Sequence, residues 1–301
     1  MAIAELVRQK VFITGCTGEI GSRVTLALLD LGYEVFGTRG SRNCTINHSL
    51  HTCKRIDLLD SSEELGIRAI MPDVLVHTAW ITTPKDFWDS GQNIEWIEAS
   101  KRIVDEFAES GGQYLVVTGS CAEYSWNTDS PLTESAVELP ATPYGRAKLE
   151  LLNWLRGRDI PFLWTRTFFQ FGKNETAGRL VPSAIDSLLR GEKFIVRSSS
   201  DIRDFVFVED VSKIVAILIS RKLSGVINIG SGTETRTETI TRMISDLIGR
   251  VDLIDNEKNE AQESYVVSNP QRLLSMIGSF SWTPLESALA QTIEARKRSL
   301  S

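Results

Sequence analysis

Along the first half of the chain, short unbroken apolar runs alternate with stretches whose apolar residues recur every three or four positions. Lys10-Val11-Phe12-Ile13 reads as a buried strand. Ile20, Val24, Ala27, Leu28 and Leu31 then follow a helical period, with Gly32 as the stop. Glu34-Val35-Phe36-Gly37, Val74-Leu75-Val76-His77, Tyr114-Leu115-Val116-Val117 and Phe162-Leu163-Trp164-Thr165 repeat the strand pattern. Helical patterns over 96–109 and 144–156 stand between them. Strand and helix in alternation predict parallel βαβ units and an α/β fold.

After Arg166 the rhythm changes. Helices are expected over 182–190, 211–220, 237–248 and 285–295, separated by polar, irregular stretches, with no internal repeat or low-complexity tract. Thr235-Arg236-Thr237-Glu238 is a capping-box candidate, and Val226-Ile227-Asn228-Ile229 reads as one more strand of the main sheet. The expected architecture is a doubly wound parallel sheet with a smaller, discontinuous C-terminal substrate-binding domain. Its boundaries are placed at 1–168 plus roughly 206–230 for the nucleotide-binding part. Segments 169–205 and 231–301 form the substrate part.

Composition narrows the partners. The 301 residues carry 33 Lys+Arg against 39 Asp+Glu, a formal charge of -6, which argues against a nucleic-acid partner. No stretch approaches the ~18 apolar residues of a membrane span. Cys16, Cys44, Cys53 and Cys121 show no paired C-x-x-C spacing and read as free thiols in a cytoplasmic protein. The three histidines (His48, His51, His77) all fall in the first third, which disfavours a histidine triad or a metal site drawing on the rest of the chain; no metal is expected. His77 reads as a structural strand-end residue.

Chemistry concentrates at three places. Thr14-Gly15-Cys16-Thr17-Gly18-Glu19-Ile20-Gly21 joins the first strand to the first helix. Its glycines permit a tight turn, close approach of backbone to a pyrophosphate, and tight helix packing. At the end of the second strand, where a carboxylate would hold a ribose 2′-hydroxyl, stand Thr38-Arg39-Gly40-Ser41-Arg42. Arg39 and Arg42 suit a 2′-phosphate, which favours NADP(H) and leaves NAD(H) possible. Tyr144 and Lys148 share one helix face, and the lysine is expected to lower the phenol from its usual ~10. Ser120, at the end of the fourth predicted strand from the start, would hold a carbonyl oxygen beside Tyr144.

Together with Val76-His77-Thr78-Ala79, Gly119-Ser120-Cys121-Ala122-Glu123-Tyr124, Arg203-Asp204-Phe205 and Trp282-Thr283-Pro284, these segments resemble the extended short-chain dehydrogenase/reductases over nearly the whole chain. The resemblance is closest to their nucleotide-sugar epimerase/dehydratase/reductase branch. It implies a Rossmann sheet, a Ser120/Tyr144/Lys148 catalytic triad and a homodimer. It places Asp57-Leu58 by the adenine, and Thr78, Ala79, Trp80, Thr118 and Phe168 on the nicotinamide side. For the substrate it implies Phe169, Val181-Pro182 near the base, Arg203 on the diphosphate with Arg179 or Arg197 as its second cation, and Cys121 and Ala122 beside the serine. Thr82, Thr83 and Lys85 would face the hexose. Trp88 and Trp96 read as core at helical spacing. Glu123 would either reach a sugar hydroxyl or make a structural hydrogen bond.

Departures from the family pattern restrict the reaction. Its 4,6-dehydratases carry Asp-Glu where this chain has Cys121-Ala122, so elimination of water is disfavoured. The fucose-type 3,5-epimerase/reductases need a cysteine two residues after the serine and a later histidine, and both are missing here. The remaining expectation is reduction, or the reverse oxidation, at C4 of a nucleoside-diphosphate 4-keto-6-deoxysugar. An NAD-retaining 4-epimerase is the alternative; a non-catalytic dinucleotide sensor on the same fold is a third reading.

Overall fold

The computed structural model describes residues 8–81, 87–175, 178–257 and 263–300. Thr82, Thr83 and Lys85 lie outside the described residues. In chain order the elements begin β1 (Lys10–Thr14), α1 (Glu19–Asp30), β2 (Glu34–Arg39), β3 (His51–Arg55), α2 (Ile67–Ile70), β4 (Val74–His77) and α3 (Gln92–Glu109). Then come β5 (Tyr114–Ser120), a 3₁₀ turn (Cys121–Glu123), α4 (Pro143–Arg156), β6 (Phe162–Thr167), β7 (Phe169–Phe171), α5 (Leu180–Leu189) and β8 (Phe194–Val196). Next are β9 (Ile202–Arg203), β10 (Phe205–Phe207), α6 (Val208–Ser220), β11 (Gly225–Ile229), β12 (Thr235–Arg236) and α7 (Thr237–Ile248). The chain closes with β13 (Ile254–Asn256), β14 (Tyr265–Val266), α8 (Gln271–Ile277) and α9 (Leu285–Leu300).

Seven strands form one parallel sheet in the order β11-β6-β5-β4-β1-β2-β3. The order reverses between β1 and β4, which opens a crevice at the carboxyl ends of those strands. Alternation within the strands builds two cores. Val11, Ile13, Val76 and Val116 point to one face and pack with Val24 and Leu28 of α1 and Val211 and Ile214 of α6. Phe12, Leu75, Leu115 and Val117 point to the other and meet Ile103 and Phe107 of α3 and Leu151 and Leu155 of α4. Each such side chain contributes about 1.5–3 kcal/mol by leaving water.

A third core joins α5, α7 and α9 through Val181, Ile185, Ile240, Ile244, Leu289 and Ile293. The Asp204 carboxylate accepts from the backbone N–H groups of Ser231, Gly232 and Ser268 at 3.0, 2.9 and 3.2 Å. It thereby ties the β9–β10 corner to the loop leaving β11.

The capping box expected at 235–238 is not formed. Thr235 belongs to β12, and α7 starts after Arg236 with no side-chain cap. A capping box forms at Ser120 and Glu123 instead.

Candidate active site

The glycine-rich turn is held from beneath. Gly15 has φ +72, a left-handed conformation that glycine adopts without strain. A Cβ on Gly21 would lie 2.2 Å from the Gly15 carbonyl, so helix α1 can approach the turn only with glycine there. Thr14, expected among the cofactor residues, does not line the cavity above the turn. It is buried; its hydroxyl contacts His77 Nδ1 at 2.8 Å and accepts from the Thr78 and Ala79 N–H groups at 3.1 and 3.2 Å. Thr14 therefore locks the turn to β4. His77, completed by Ser100 at 2.8 Å on Nε2, is structural as expected, and burial drives its pKa down to about 3.

Above the turn lies a cavity of about 680 Å³. Of the expected cofactor residues, Gly15, Thr17, Gly18, Glu19, Ile20, Gly21, Arg39, Arg42, Asp57, Leu58, Thr78, Ala79 and Trp80 line it. Arg55, Gln92, Gln170 and Glu175 line it as well and had not been singled out; Trp96, expected in the core, also reaches the cavity. Arg55 ends β3, in register with Arg39, so three arginines border the end of the cavity nearest β2. The shape fits a dinucleotide: a glycine cradle open to a pyrophosphate, with three guanidinium groups at the far end.

Thr118 and Phe168 are buried outside the cavity wall. Thr118 contributes its carbonyl to Lys148, and Phe168 packs with Cys121, Tyr124 and Leu132. Val181 and Pro182 are also buried, because the first turn of α5 faces inward; neither side chain is open to a nucleotide base. Arg197 is exposed just after β8 and does not line the cavity.

Ser120, Tyr144 and Lys148 do not themselves line this cavity; Lys148 lies over Trp80 and Tyr144 feels the charge of Arg179, both of which do. Ser120 ends β5, where its N–H donates to Glu123 Oε1 at 2.7 Å and its hydroxyl accepts from the Ala122 N–H at 3.1 Å. Tyr144 lies in the first turn of α4, which Thr142 caps by accepting from the Gly145 N–H at 3.1 Å. A Cβ on Gly145 would sit 2.2 Å from the Ala122 carbonyl, so helix and 3₁₀ turn meet backbone to backbone. That contact sets the Ser120–Tyr144 separation, and the serine hydroxyl lies close enough to favour the phenolate.

Burial nevertheless pushes the Tyr144 phenol up to about 12. The foremost opposing influence is Arg179, with Ser120 next; Lys148, the expected tuner, is not prominent. The reason is geometric. The Lys148 ammonium donates to the Thr118 carbonyl at 2.9 Å and sits 3.7 Å above the Trp80 ring, against 5.9 Å from the Tyr144 ring centre. Burial lowers it to about 7. Trp88 and Phe87 stand edge-on to Tyr144 at 5.5 and 5.1 Å, so Trp88 is part of the reactive pocket rather than plain core.

On the far side of Ser120, Cys121 and Ala122 are buried. The Arg203 guanidinium lies over Phe169 and Trp126 at 5.1 and 5.5 Å and already pairs with Asp201 at 2.6 Å. Glu123 resolves to the structural role: it is fully buried and accepts from Trp164 at 3.0 Å and Arg166 at 2.6 Å.

Comparison with known proteins agrees with this architecture. Residues 11–230 match the family model described as the NAD dependent epimerase/dehydratase family. A Haloferax volcanii low-salt glycan biosynthesis protein, Agl12, is 29% identical over 159 residues, 51% of this chain and 51% of that protein. The chain thus spans about half the length of that relative. A Methanocaldococcus jannaschii protein described as a putative UDP-glucose 4-epimerase is 24% identical across 79% of this chain and 82% of its own. Among solved structures, the Thermus thermophilus UDP-glucose 4-epimerase superimposes with TM-score 0.85 at 18% identity, covering 96% of this chain and 99% of that one. Bordetella bronchiseptica WbmH superimposes with TM-score 0.83 at 21% identity, over 96% and 98%.

Proposed function

We propose that this chain, which belongs to the NAD dependent epimerase/dehydratase family, is an NADP(H)-dependent reductase acting at C4 of a nucleoside-diphosphate 4-keto-6-deoxysugar. The observation that carries this reading is the pairing of Ser120 and Tyr144 beside a cavity whose other end is bordered by Arg39, Arg42 and Arg55. No carboxylate stands at the end of β2 to receive a ribose 2′-hydroxyl.

The glycine turn would hold the pyrophosphate, the three arginines the 2′-phosphate, and Trp80, Thr78 and Ala79 the nicotinamide end. Bound there, a reduced nicotinamide supplies hydride to a ketone carbon. Ser120 holds the ketone oxygen and Tyr144 hands it the phenolic proton. A phenol kept protonated by its surroundings suits the reductive direction, in which it must give a proton. Arg179 limits the cost of the resulting phenolate. Lys148, poised near neutrality, relays a proton or anchors a ribose hydroxyl from its seat on the Thr118 carbonyl. Arg203, over Phe169 and Trp126, meets the substrate diphosphate after exchanging Asp201 for it.

Tyr144→Phe is expected to lower turnover on the order of 10²–10⁴-fold while leaving dinucleotide affinity within a few-fold. Absorbance loss from NADPH with a panel of nucleoside-diphosphate 4-keto-6-deoxysugars measures it; unchanged turnover in the variant removes Tyr144 from the reaction. The second reading is a 4-epimerase that retains NAD, favoured by similar structures solved with NAD bound, WbmH and the Thermus enzyme among them. Cofactor released from the purified protein separates the two: tightly held NAD together with sugar-nucleotide interconversion and no net NADPH oxidation favours the epimerase. The reductase reading places the protein in the cytoplasm as a homodimer packed through α3 and α4, where Ile94 is exposed; sedimentation tests the assembly.

A further inference from the structure

Three cysteines that are distant in sequence meet under the glycine-rich turn. Cys16 follows Gly15, Cys44 lies in the loop after β2, and Cys53 is in β3. Their three sulfurs lie within 4.8 Å of one another, those of Cys16 and Cys53 at 3.4 Å. All three are unbridged. His51 precedes Cys53 by two residues in β3, which puts both side chains on one face of the strand. The His51 Nδ1 faces the Ile46 carbonyl at 3.3 Å; a carbonyl only accepts, so Nδ1 carries the proton and Nε2 keeps a bare lone pair. That Nε2 is buried and has no hydrogen-bond partner among the described residues. A Cβ on Gly37 would lie 2.5 Å from the Cys16 sulfur and 3.1 Å from His51 Nε2, so the imidazole stands near Cys16, outside the set of three sulfurs within 4.8 Å of one another, and its ring must move inward to become a fourth donor.

Three thiols and an oriented imidazole nitrogen are the donor set of a closed tetrahedral site for a thiophilic cation. The backbone carbonyl behind His51 is the kind of outer partner that fixes the ring of a metal-binding histidine. We propose that Cys16, Cys44, Cys53 and His51 bind one divalent cation of the zinc class, in a structural role. Zinc–sulfur bonds of about 2.3 Å in a tetrahedron need sulfurs about 3.8 Å apart, so adjustments below about 1 Å bring the three thiols into place. On binding, each thiol gives its proton to solvent and the thiolate takes the cation. A cavity of about 460 Å³, lined by Cys16, Cys44, Arg42 and Asn174 among others, gives the ion a way in. The cation would join the loop bearing Arg39 and Arg42 to the glycine turn and to β3. Only this last consequence, a firmer grip on the dinucleotide, rests on the reading of the neighbouring cavity.

The test uses the full chain, reduced and freed of metal, titrated with cobalt(II) as the probe. The expected result is a single equivalent bound with the intense visible bands of tetrahedral thiolate cobalt, displaced by zinc. Cys44→Ser and Cys53→Ser should each abolish these bands, His51→Ala should alter them, and Cys121→Ser should keep them. Circular dichroism of the metal-free variants separates a lost site from a lost fold; should Cys44→Ser unfold, Cys53→Ser on the edge strand carries the comparison. A weak octahedral spectrum in the parent protein, or bands that survive both serine substitutions, overturns the site. NADPH affinity measured with and without zinc is the second readout. Bands without any change in that affinity overturn the link to the dinucleotide and leave the cation site standing.

Discussion

Two buried charge clusters flank the reactive groups, and they are built on opposite terms. Behind Ser120, Glu123 accepts from the Ser120 N–H, Trp164 and Arg166, and Arg166 reaches on to Glu138 at 2.6 Å. Arg156 completes the chain on Glu138, and the Arg166 guanidinium lies 4.3 Å from the Tyr124 ring centre. Among the described residues, only Arg166 Nη1 is left over there. Beside the cavity, Glu19, Arg23, Glu175, Arg179 and Glu209 hold one tight pair, Arg23 to Glu209 at 2.9 Å, and two looser ones, Arg23 to Glu19 at 3.3 Å and Arg179 to Glu175 at 3.6 Å. Oxygens of Glu19, Glu175 and Glu209 and Arg23 Nη2 lack well-formed hydrogen bonds among the described residues. Burial lifts Glu175 to about 8 in consequence. The saturated cluster fixes geometry; the unsaturated one stores charge that a proton or a ligand can rearrange.

The comparison can be broken at its rigid end first. Glu123→Ala should cost about 3–5 kcal/mol in denaturant unfolding, since it takes from the buried Arg166 one of its two carboxylate partners and leaves the Trp164 and Ser120 N–H groups unpaired. A loss within experimental error would show that the cluster holds nothing. At the soft end, Glu175→Gln sharpens the contrast. The native carboxyl keeps its proton up to about 8 whereas the unfolded one releases it near 4.5. The native state therefore binds more protons between those values, and stability falls as pH rises through that window. The glutamine variant should lose that share of the slope and bind dinucleotide with a flatter pH profile above 8; parallel curves for the two proteins would contradict the assignment. Arg39→Ala should remove about 1.5–3 kcal/mol of preference for NADPH over NADH, read from the two dissociation constants. Smallest is Thr142→Ala, expected to cost about 1 kcal/mol of stability through the lost cap of α4, with turnover little changed because the Glu123 cluster carries the geometry. A large drop in turnover would shift that role to the cap.

The sheet was legible where strands are buried on both faces, because Val11–Ile13 and Val74–Val76 can be nothing but apolar there. Strand β3 escaped notice for the converse reason: at the sheet edge His51-Thr52-Cys53-Lys54-Arg55 is largely solvated and carries no hydrophobic period. With it went Arg55 and the meeting of Cys53 with Cys16, which depends on β3 lying beside β2 in register. The glycine turn after β1, the shared helix of Tyr144 and Lys148 and the strand-end place of Ser120 were readable from sequence because each depends on its own local element. The influence of Arg179 on Tyr144 was not, since it joins residues from different elements in space. That the Thr14, Val181 and Pro182 side chains turn inward was not readable, because a motif gives position along the chain but not the direction a side chain takes.

The backbone contact between Gly145 and Ala122 has a bearing on redesign. Two main chains that touch leave no side chain to trim, so the pocket beside Tyr144 cannot be widened at this contact without displacing Tyr144 itself. The adjustable wall is aromatic: the Trp88 ring packs on those of Phe87, Trp126 and Tyr144, and Phe87 packs on Tyr144, while the Tyr144 N–H also donates to the Trp88 carbonyl. Libraries aimed at new substrates should vary those three rings and leave the glycine untouched.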